Sequence, residues 1–214
     1  MYICLNWRLF LAENSNSRLI VIVGISGVGK TTVISRATEL LKQKGYDPSV
    51  LVFGTLMFEE AKKIGVKNRD EMRKISITNQ RRLQDMAANR IAEMKNSNNI
   101  LIIDTHLFIN TSEGYYPGIP MHILNIIKPT HMILIAADAA EIVNRRKFDD
   151  SRNRDIVSIG DVQYELDISR SMIVSCSLLS GSPFMIIMNN DNKIEDTASI
   201  IVKMLLSNKD MKSD

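Results

Sequence analysis

The sequence predicts a three-layer, doubly wound α/β fold in which a five-stranded parallel sheet lies between two layers of helices. Two observations indicate it. Short uninterrupted runs of aliphatic residues alternate along the chain with longer segments whose apolar residues recur every three or four positions. Strands buried on both faces of a parallel sheet have the first pattern, and helices that cover such a sheet have the second. We therefore expect a single domain over residues 18–214.

Five aliphatic runs are the predicted strands. They are residues 19–23, 50–53, 100–104, 132–136 and 184–188. In a sheet of this kind, ligands bind at the carboxyl ends of the strands. The chemistry is therefore expected just after residues 23, 53, 104 and 136.

Helical patterns occupy the segments between these runs, at residues 31–44, about 77–96 and about 157–180. The last two each have one apolar stripe, which we expect to face the core. The first stripe consists of Leu83, Met86, Ala87, Ile91 and Met94. The second consists of Val162, Leu166, Ser169, Ile173 and Cys176.

The composition is that of an ordinary globular protein. Of the 214 residues, 45% are hydrophobic and 24% are charged, which disfavours disordered, collagen-like and coiled-coil chains. The formal net charge of +3 is too small to favour nucleic acid as a partner. The sequence has no run of about 18 apolar residues of the kind that spans a membrane, so no membrane partner is expected.

The cysteines and the N-terminal segment indicate the cellular compartment that is expected for the protein. Cys4 and Cys176 lack the spacing of a zinc site or a disulfide framework, which favours a reducing, cytoplasmic setting. Residues 1–17 are apolar at the start but lack the basic region and cleavage site of a secretory signal. We interpret them as an N-terminal extension, which is an added strand, a loose tail or an upstream extension of the natural start.

A glycine-rich segment joins the first predicted strand to the first predicted helix. It reads Gly24-Ile-Ser-Gly-Val-Gly-Lys-Thr31, which is the pattern of a phosphate-binding loop, or P-loop, in its expected context. Glycines let main-chain amides approach phosphate oxygens, and the N-terminus of the next helix adds partial positive charge. The expected ligand is ATP with Mg²⁺, bound by Gly24, Ile25, Ser26, Gly27, Val28, Gly29, Lys30, Thr31 and Thr32.

Three side chains of this region have predicted chemical roles. Lys30, which we expect to be an exposed loop residue, is placed to reach the β and γ phosphates, and the hydroxyl of Thr31 is a ligand for Mg²⁺. Asp104 ends the third predicted strand, where a carboxylate holds Mg²⁺ directly or through water. Without the P-loop, an aspartate at this place would be interpreted as a helix cap or turn residue.

Four arginines cluster between residues 145 and 154. Phosphoryl transfer depends on positive charge around the transferring group, and the planar guanidinium binds phosphate oxygens in pairs. We expect at least two of the four to contact phosphate as catalytic groups of a lid. They are Arg145, Arg146, Arg152 and Arg154. The alternative is a solvated helix end in which these arginines pair with Asp149, Asp150 and Asp155.

A second basic segment, Arg69-Asp-Glu-Met-Arg73, follows the second predicted strand on the side where a second substrate enters. Arg73 is the preferred candidate for substrate binding, and an exposed helix with ion pairs is the alternative. His106 adjoins Asp104 and is another candidate for that site. No Cys/His or Ser/His/Asp grouping indicates a covalent nucleophile.

Taken together, these motifs are similar to those of the archaeal type of adenylate kinase. The resemblance covers about residues 18–205, in order and at natural spacing. Its segments are the P-loop from Gly24 to Thr32, Gly54-Thr-Leu-Met57, Arg69-Asp-Glu-Met-Arg-Lys74, Asp104-Thr-His106, Gly114-Tyr-Tyr-Pro-Gly-Ile-Pro120 and the arginine run through Arg154.

The resemblance implies a P-loop NTPase fold, Mg²⁺-dependent interconversion of ATP and AMP with two ADP, a cytoplasmic location and a homotrimer. It implies an AMP-binding helical insert at about residues 54–97, with Thr55 and Arg73 on the AMP side, and a short lid at about residues 145–156 that carries the four arginines. The chain departs from the family in about 17 additional residues at the front and in Gly54-Thr55, where Gly-Asp is expected.

Two other functions fit the P-loop. One is another small P-loop kinase, acting on a different nucleoside monophosphate or a small alcohol. The other is an ATPase switch that controls a partner through nucleotide binding. The residues on the acceptor side distinguish the first, and hydrolysis without an acceptor distinguishes the second.

Overall fold

The computed structural model describes residues 17–95, 100–111, 114–147 and 158–206. Arg152, Arg154 and the three predicted acidic partners at 149, 150 and 155 lie outside the described residues, as do the first 16 residues of the predicted N-terminal extension.

The described residues form strands and helices in alternation. The strands are β1 (Arg18–Val23), β2 (Ser49–Val52), β3 (Ile100–Thr105), β4 (Phe108–Thr111), β5 (Gly114–Pro117), β6 (His131–Ala136) and β7 (Phe184–Met188). The helices are α1 (Lys30–Gln43), α2 (Phe53–Lys63), α3 (Arg69–Lys74), α4 (Ile77–Lys95), α5 (Met121–Ile127), α6 (Ala139–Lys147), α7 (Ile159–Ser180) and α8 (Ile194–Leu206).

A five-stranded sheet forms the middle layer, in the order β2-β3-β1-β6-β7. All four strand pairings are parallel, which confirms the predicted fold class. β1 is the central strand and is fully buried from Leu19 to Val23, as its uninterrupted aliphatic run predicts. The register places Ile22 opposite Asp104, so the end of β3 lies beside the start of the glycine-rich loop.

The predicted helical stripes face the core. In α7 all five stripe residues are buried, and in α4 Leu83, Ala87 and Ile91 are buried while Met86 and Met94 are partly exposed. Helix α1 packs against α8. These packed helices fix the carboxyl ends of the strands, where the predicted site residues lie.

Two local features differ from the sequence prediction. The sequence predicts a strand through Phe53, but β2 ends at Val52 and Phe53 begins α2. Phe53 is buried, and an apolar residue at an element boundary fits either element. The second feature is the antiparallel hairpin β4–β5, which no aliphatic run announces because its residues are mostly polar or aromatic and only partly buried.

Candidate active site

The glycine-rich loop lies between the end of β1 and the start of α1, as predicted. Gly29 caps α1 with a φ of 79°, a left-handed conformation that favours glycine. A Cβ atom at Gly29 would lie 2.6 Å from Nδ2 of Asn189. The first turn of α1 has no acidic residue, so its N-terminal partial charge is left to attract an anion.

The start of the loop is held close to the sheet. A Cβ atom at Gly24 would lie 2.7 Å from the main-chain oxygen of Ile135, in β6. Because main-chain atoms cannot give way cheaply, the loop leaves the sheet between β1 and β6 at a position that accepts only glycine. This close approach explains the first glycine of the motif.

Lys30 and Asp104 form a buried ion pair between Nζ and Oδ1. Their side chains are 8% and 9% exposed, so the expectation of an exposed loop lysine is wrong. Lys30 is the first residue of α1, and its stem turns inward toward the end of β3. The pair keeps the lysine charge at the phosphate loop and balances the carboxylate. Thr31 and Thr32, next in α1, are exposed.

Arg146, in the last turn of α6, lies against the phosphate loop. Its Nε donates a 2.9 Å hydrogen bond to the main-chain oxygen of Ser26, and its Nη2 donates a 2.7 Å hydrogen bond to Oε2 of Glu165. A Cβ atom at Gly27 would lie 3.1 Å from Cγ of Arg146, so the arginine stem also packs on the loop. One arginine of the predicted cluster is therefore at the loop.

Arg145 points to a different place. Its guanidinium contacts Asp191 at 2.6 Å, Glu141 at 3.1 Å and the main-chain oxygen of Asn189 at 3.1 Å, which ties α6 to the segment after β7. Arg145 thus pairs with Glu141 and Asp191, and Arg146 pairs with Glu165, whereas the predicted aspartate partners lie outside the described residues.

The acceptor-side candidates lie on the helices that follow β2. Nη2 of Arg69 donates a 2.8 Å hydrogen bond to the hydroxyl of Thr55, so Arg69 and not Arg73 contacts the residue predicted beside the acceptor. Arg73 pairs with Asp70 at 3.0 Å on an exposed helix surface and is 58% exposed. That ion pair is the alternative that the sequence left open.

Arg73 nevertheless also lines a cavity of about 650 Å³. The end of α3, the start of α4 and the hairpin β4–β5 line it on its inner side, with lining residues that include Arg73, Ser76, Gln80, Tyr115 and Tyr116. Nε2 of Gln80 donates to the main-chain oxygens of Arg73 and Ile75, which fixes the bend between the two helices. The size is that of a small-molecule site.

His106 is exposed and follows Asp104 beyond the end of β3. A Cβ atom at Gly118 would clash with the main-chain oxygen of His106, and the Gly118 amide donates a 2.8 Å hydrogen bond to the main-chain oxygen of Leu107. The Gly-Tyr-Tyr-Pro-Gly segment therefore packs directly on the segment that leaves β3. This contact joins the hairpin to the phosphate side of the sheet.

The sequence analysis missed two residues at this end of the sheet, Asn189 and Glu165, and it preferred Arg73 to Arg69 within the second basic segment. Asn189 follows β7 and donates a hydrogen bond to Val28, Glu165 pairs with Arg146, and Arg69 contacts Thr55. Asn189 could have been predicted as a site residue, because it is the first polar residue after the fifth predicted strand. Glu165 and Arg69 lie among many charged helix positions, and no spacing separates them from solvated residues.

The donor set suits Mg²⁺, which takes oxygen ligands from a few protein groups together with phosphates and water. The carboxylate of Asp104 and the hydroxyl of Thr31 both belong to the phosphate-loop region. Among the described residues no cluster of three His, Cys, Asp or Glu side chains forms a metal site of its own. The residues thus fit a metal that arrives with a nucleotide.

No helix in the described part of the chain is both long enough and apolar enough to span a membrane.

The parallel sheet, the glycine loop at the end of its central strand and the buried Lys30–Asp104 pair define a P-loop nucleotide-binding protein. Residues 23–163 match the family model described as "AAA domain". The fold is also similar to that of shikimate kinase from Bacteroides thetaiotaomicron, with a TM-score of 0.53 and 16% identity over 89% of this chain and 98% of that one.

Comparison with sequences of known proteins identifies the family within this class. The chain is 37% identical over 190 residues to the adenylate kinase of Methanocaldococcus jannaschii, covering 88% of this chain and 98% of the relative. It is 38% identical over 189 residues to that of Pyrococcus horikoshii, covering 87% and 94%. It is 36% identical over 191 residues to that of Saccharolobus solfataricus, covering 87% and 98%. The chain belongs to the family of archaeal adenylate kinases.

Proposed function

We propose that this protein transfers the terminal phosphate of ATP reversibly to AMP, giving two ADP. Family membership supports the reaction, and the site supports its division into a donor side and an acceptor side. The observation that carries the proposal is that one chain has both a phosphate loop and a separate cavity of about 650 Å³. A phosphotransferase needs two substrate sites, whereas a hydrolase needs one.

On the donor side, the amides of the loop and the N-terminus of α1 bind the phosphates of ATP. Lys30 is already held at the loop by Asp104, so its charge needs little reorganisation when phosphate oxygens arrive. In the proposed nucleotide complex the lysine ammonium attracts both the carboxylate and the phosphates.

Mg²⁺ is the proposed cofactor, and Thr31 and Asp104 are the residues that would hold it. When bound, the metal neutralises phosphate charge. The contribution of the chain is to aim Lys30 and the loop amides at the phosphates, and to hold the Asp104 carboxylate beside the lysine.

On the acceptor side, the cavity between α3, α4 and the hairpin β4–β5 takes AMP. Arg73 at its edge meets the phosphate, and the aromatic rings of Tyr115 and Tyr116 offer surfaces for the base. Thr55 and His106 are further acceptor-side residues by the family resemblance. The contact between Arg69 and Thr55 supports a role for Arg69 in shaping this side.

Arg145, Arg146, Arg152 and Arg154 supply positive charge to the transferring phosphoryl group in this proposal. The position of Arg146 on the phosphate loop supports it for one of the four. A closed lid also excludes water, which would otherwise compete with AMP as the acceptor.

A coupled assay of ADP formation tests the function. ATP is supplied with AMP, CMP, UMP or GMP at equal concentration, and with no acceptor as the control for hydrolysis. We expect AMP to be phosphorylated much faster than the other acceptors, and ATP without an acceptor to be hydrolysed only slowly. Faster reaction with CMP or UMP would identify a different nucleotide kinase, and equal rates with and without acceptor would identify an ATPase.

We also propose a cytoplasmic location and assembly into a homotrimer, both on the family resemblance. Within the described residues β7 pairs on one side only, with β6, and Phe184, Met185 and Ile186 remain partly exposed. An apolar strand at a sheet edge favours burial against another chain. Light scattering after size exclusion tests the assembly, and a mass equal to that of one chain at micromolar concentration would contradict it.

A further inference from the structure

The pair formed by Arg146 and Glu165 is mostly removed from solvent. The two side chains are 10% and 18% exposed, whereas the pair formed by Arg170 and Asp167 on the same helix α7 is 40% and 57% exposed. Water and salt screen the attraction between exposed charges but act much less on a covered pair. The Arg146–Glu165 contact is therefore a fixed feature of the site, unlike the exposed pair beside it.

Glu165 is held in place by the helix that carries it. Ser158 and Asp161 form a capping box at the start of α7, and Val162 and Leu166 on either side of Glu165 are buried in the core. The carboxylate is thus carried on a helix that is anchored at its start and along its buried face. A rigidly placed carboxylate is able to orient a flexible partner.

Arg146 needs such a partner. Arginine has many rotamers, and the hydrogen bond from Nε reaches only the neutral main-chain oxygen of Ser26 among the residues that the structure describes. The 2.7 Å hydrogen bond to Glu165 fixes the far end of the guanidinium. The group is then held at both ends in one orientation over the phosphate loop, and it retains further N–H donors for a ligand.

Tyr115 lies close enough to Glu165 to be affected by its charge. Tyr115 in the hairpin has its ring 6.3 Å from that of Tyr164 in α7. Burial raises the pKa of Tyr115, and the nearby carboxylate of Glu165 raises it further. Glu165 thus lies where α7, the acceptor-side hairpin and the phosphate loop approach one another.

We propose that Glu165 is a positioning residue, which holds the guanidinium of Arg146 on the phosphate loop so that its remaining donors meet the transferring phosphoryl group. This inference rests on the proposed function. In the absence of Glu165 the arginine is still present, but it samples other rotamers and loses the orientation that the transition state requires.

The test compares Glu165→Gln with Asp167→Asn, a matched change in an exposed pair on the same helix. We expect Glu165→Gln to lower kcat by about 10- to 100-fold, as is typical when a supporting partner is lost, with the ATP dissociation constant changed by less than about threefold. Asp167→Asn should leave both unchanged. Unchanged or increased turnover in Glu165→Gln would overturn the proposal, because the carboxylate would then be idle or competing with phosphate.

A double-mutant cycle separates positioning from a general structural role. In the Arg146→Ala background, Glu165→Gln should change kcat by less than about twofold, because the group that it orients is gone. An equal loss in both backgrounds would overturn the proposal. Glu165→Asp, which keeps the charge but shortens its reach, should give an intermediate loss and carries the test if Glu165→Gln does not fold. Failure of the proposed function itself would appear separately, as wild-type protein that does not phosphorylate AMP.

Discussion

Nδ2 of Asn189 donates a 2.8 Å hydrogen bond to the main-chain oxygen of Val28, and so fastens the end of the sheet to the phosphate loop 161 residues earlier in the chain. Asn189 is 2% exposed. The same Nδ2 atom lies where a side chain at Gly29 would begin. The shape of the loop therefore depends on a residue that is remote in sequence.

Asn189→Ala should loosen the loop. The buried oxygen of Val28 would lose its donor, which costs about 1–3 kcal/mol in the free energy of unfolding. Loop amides that are less well organised should also raise the ATP dissociation constant. Urea unfolding and ATP titration measure the two effects. Asn125→Ala, an exposed change in α5, is the control, and an effect of Asn189→Ala no larger than the control would show that the contact is dispensable.

Lys30→Ala should remove nearly all turnover, because the lysine charge at the β and γ phosphates is lost. Since Lys30 is buried against Asp104, we also expect a loss of about 3–5 kcal/mol in the free energy of unfolding, as for other broken buried pairs. The double change Lys30→Ala with Asp104→Asn should regain part of the stability but no activity. Near wild-type turnover of Lys30→Ala would contradict the P-loop assignment.

Arg73→Ala should raise the Michaelis constant for AMP much more than that for ATP, because Arg73 lines the acceptor cavity and not the phosphate loop. The control is Arg170→Ala, which removes an arginine from an exposed ion pair on α7. Initial rates with each substrate varied in turn give both constants. The acceptor assignment would be wrong if Arg73→Ala disturbed ATP alone.

Replacing Arg145, Arg146, Arg152 and Arg154 singly with alanine tests the predicted lid. A group that meets charge developed in the transition state should cost rate more than ATP affinity when removed, by roughly 10²- to 10³-fold for one well-placed donor. We expect at least two of the four variants to lose turnover by more than about tenfold, with ATP binding changed by less than about tenfold. Full turnover in all four would show that none of these arginines acts on the transferring phosphoryl group.

The stability of the protein should fall as the pH drops from about 7.5 to 5.5, partly because of His131. Burial lowers the pKa of His131, and the charge of Arg18 lowers it further. The unfolded chain, with an ordinary pKa near 6.5, takes up this proton first, so protonation favours unfolding as the pH falls through that value. In urea unfolding at both pH values, His131→Gln should show a smaller drop than wild type. Equal drops would show that His131 does not contribute.

Local pattern was sufficient for the sheet and the loop. An aliphatic run such as residues 100–104 is recognisable because burial on both faces demands it, and the glycines at 24, 27 and 29 are recognisable because close approach to phosphate or main chain excludes side chains. The predicted roles of Lys30 and Asp104 come from their places in those patterns. These features depend on residues within a few positions of one another, which a sequence displays directly.

Contacts between distant segments were decided by the packing. The sequence gives no means of telling that Lys30 turns inward to Asp104, that Arg146 rather than Arg145 lies on the loop, or that Glu165 and Asn189 complete the site. Charged residues are common on every exposed helix, so spacing does not mark the few that meet across elements. Which of them meet depends on strand order and on how α6 and α7 pack beside the sheet, and those are properties of the folded chain as a whole.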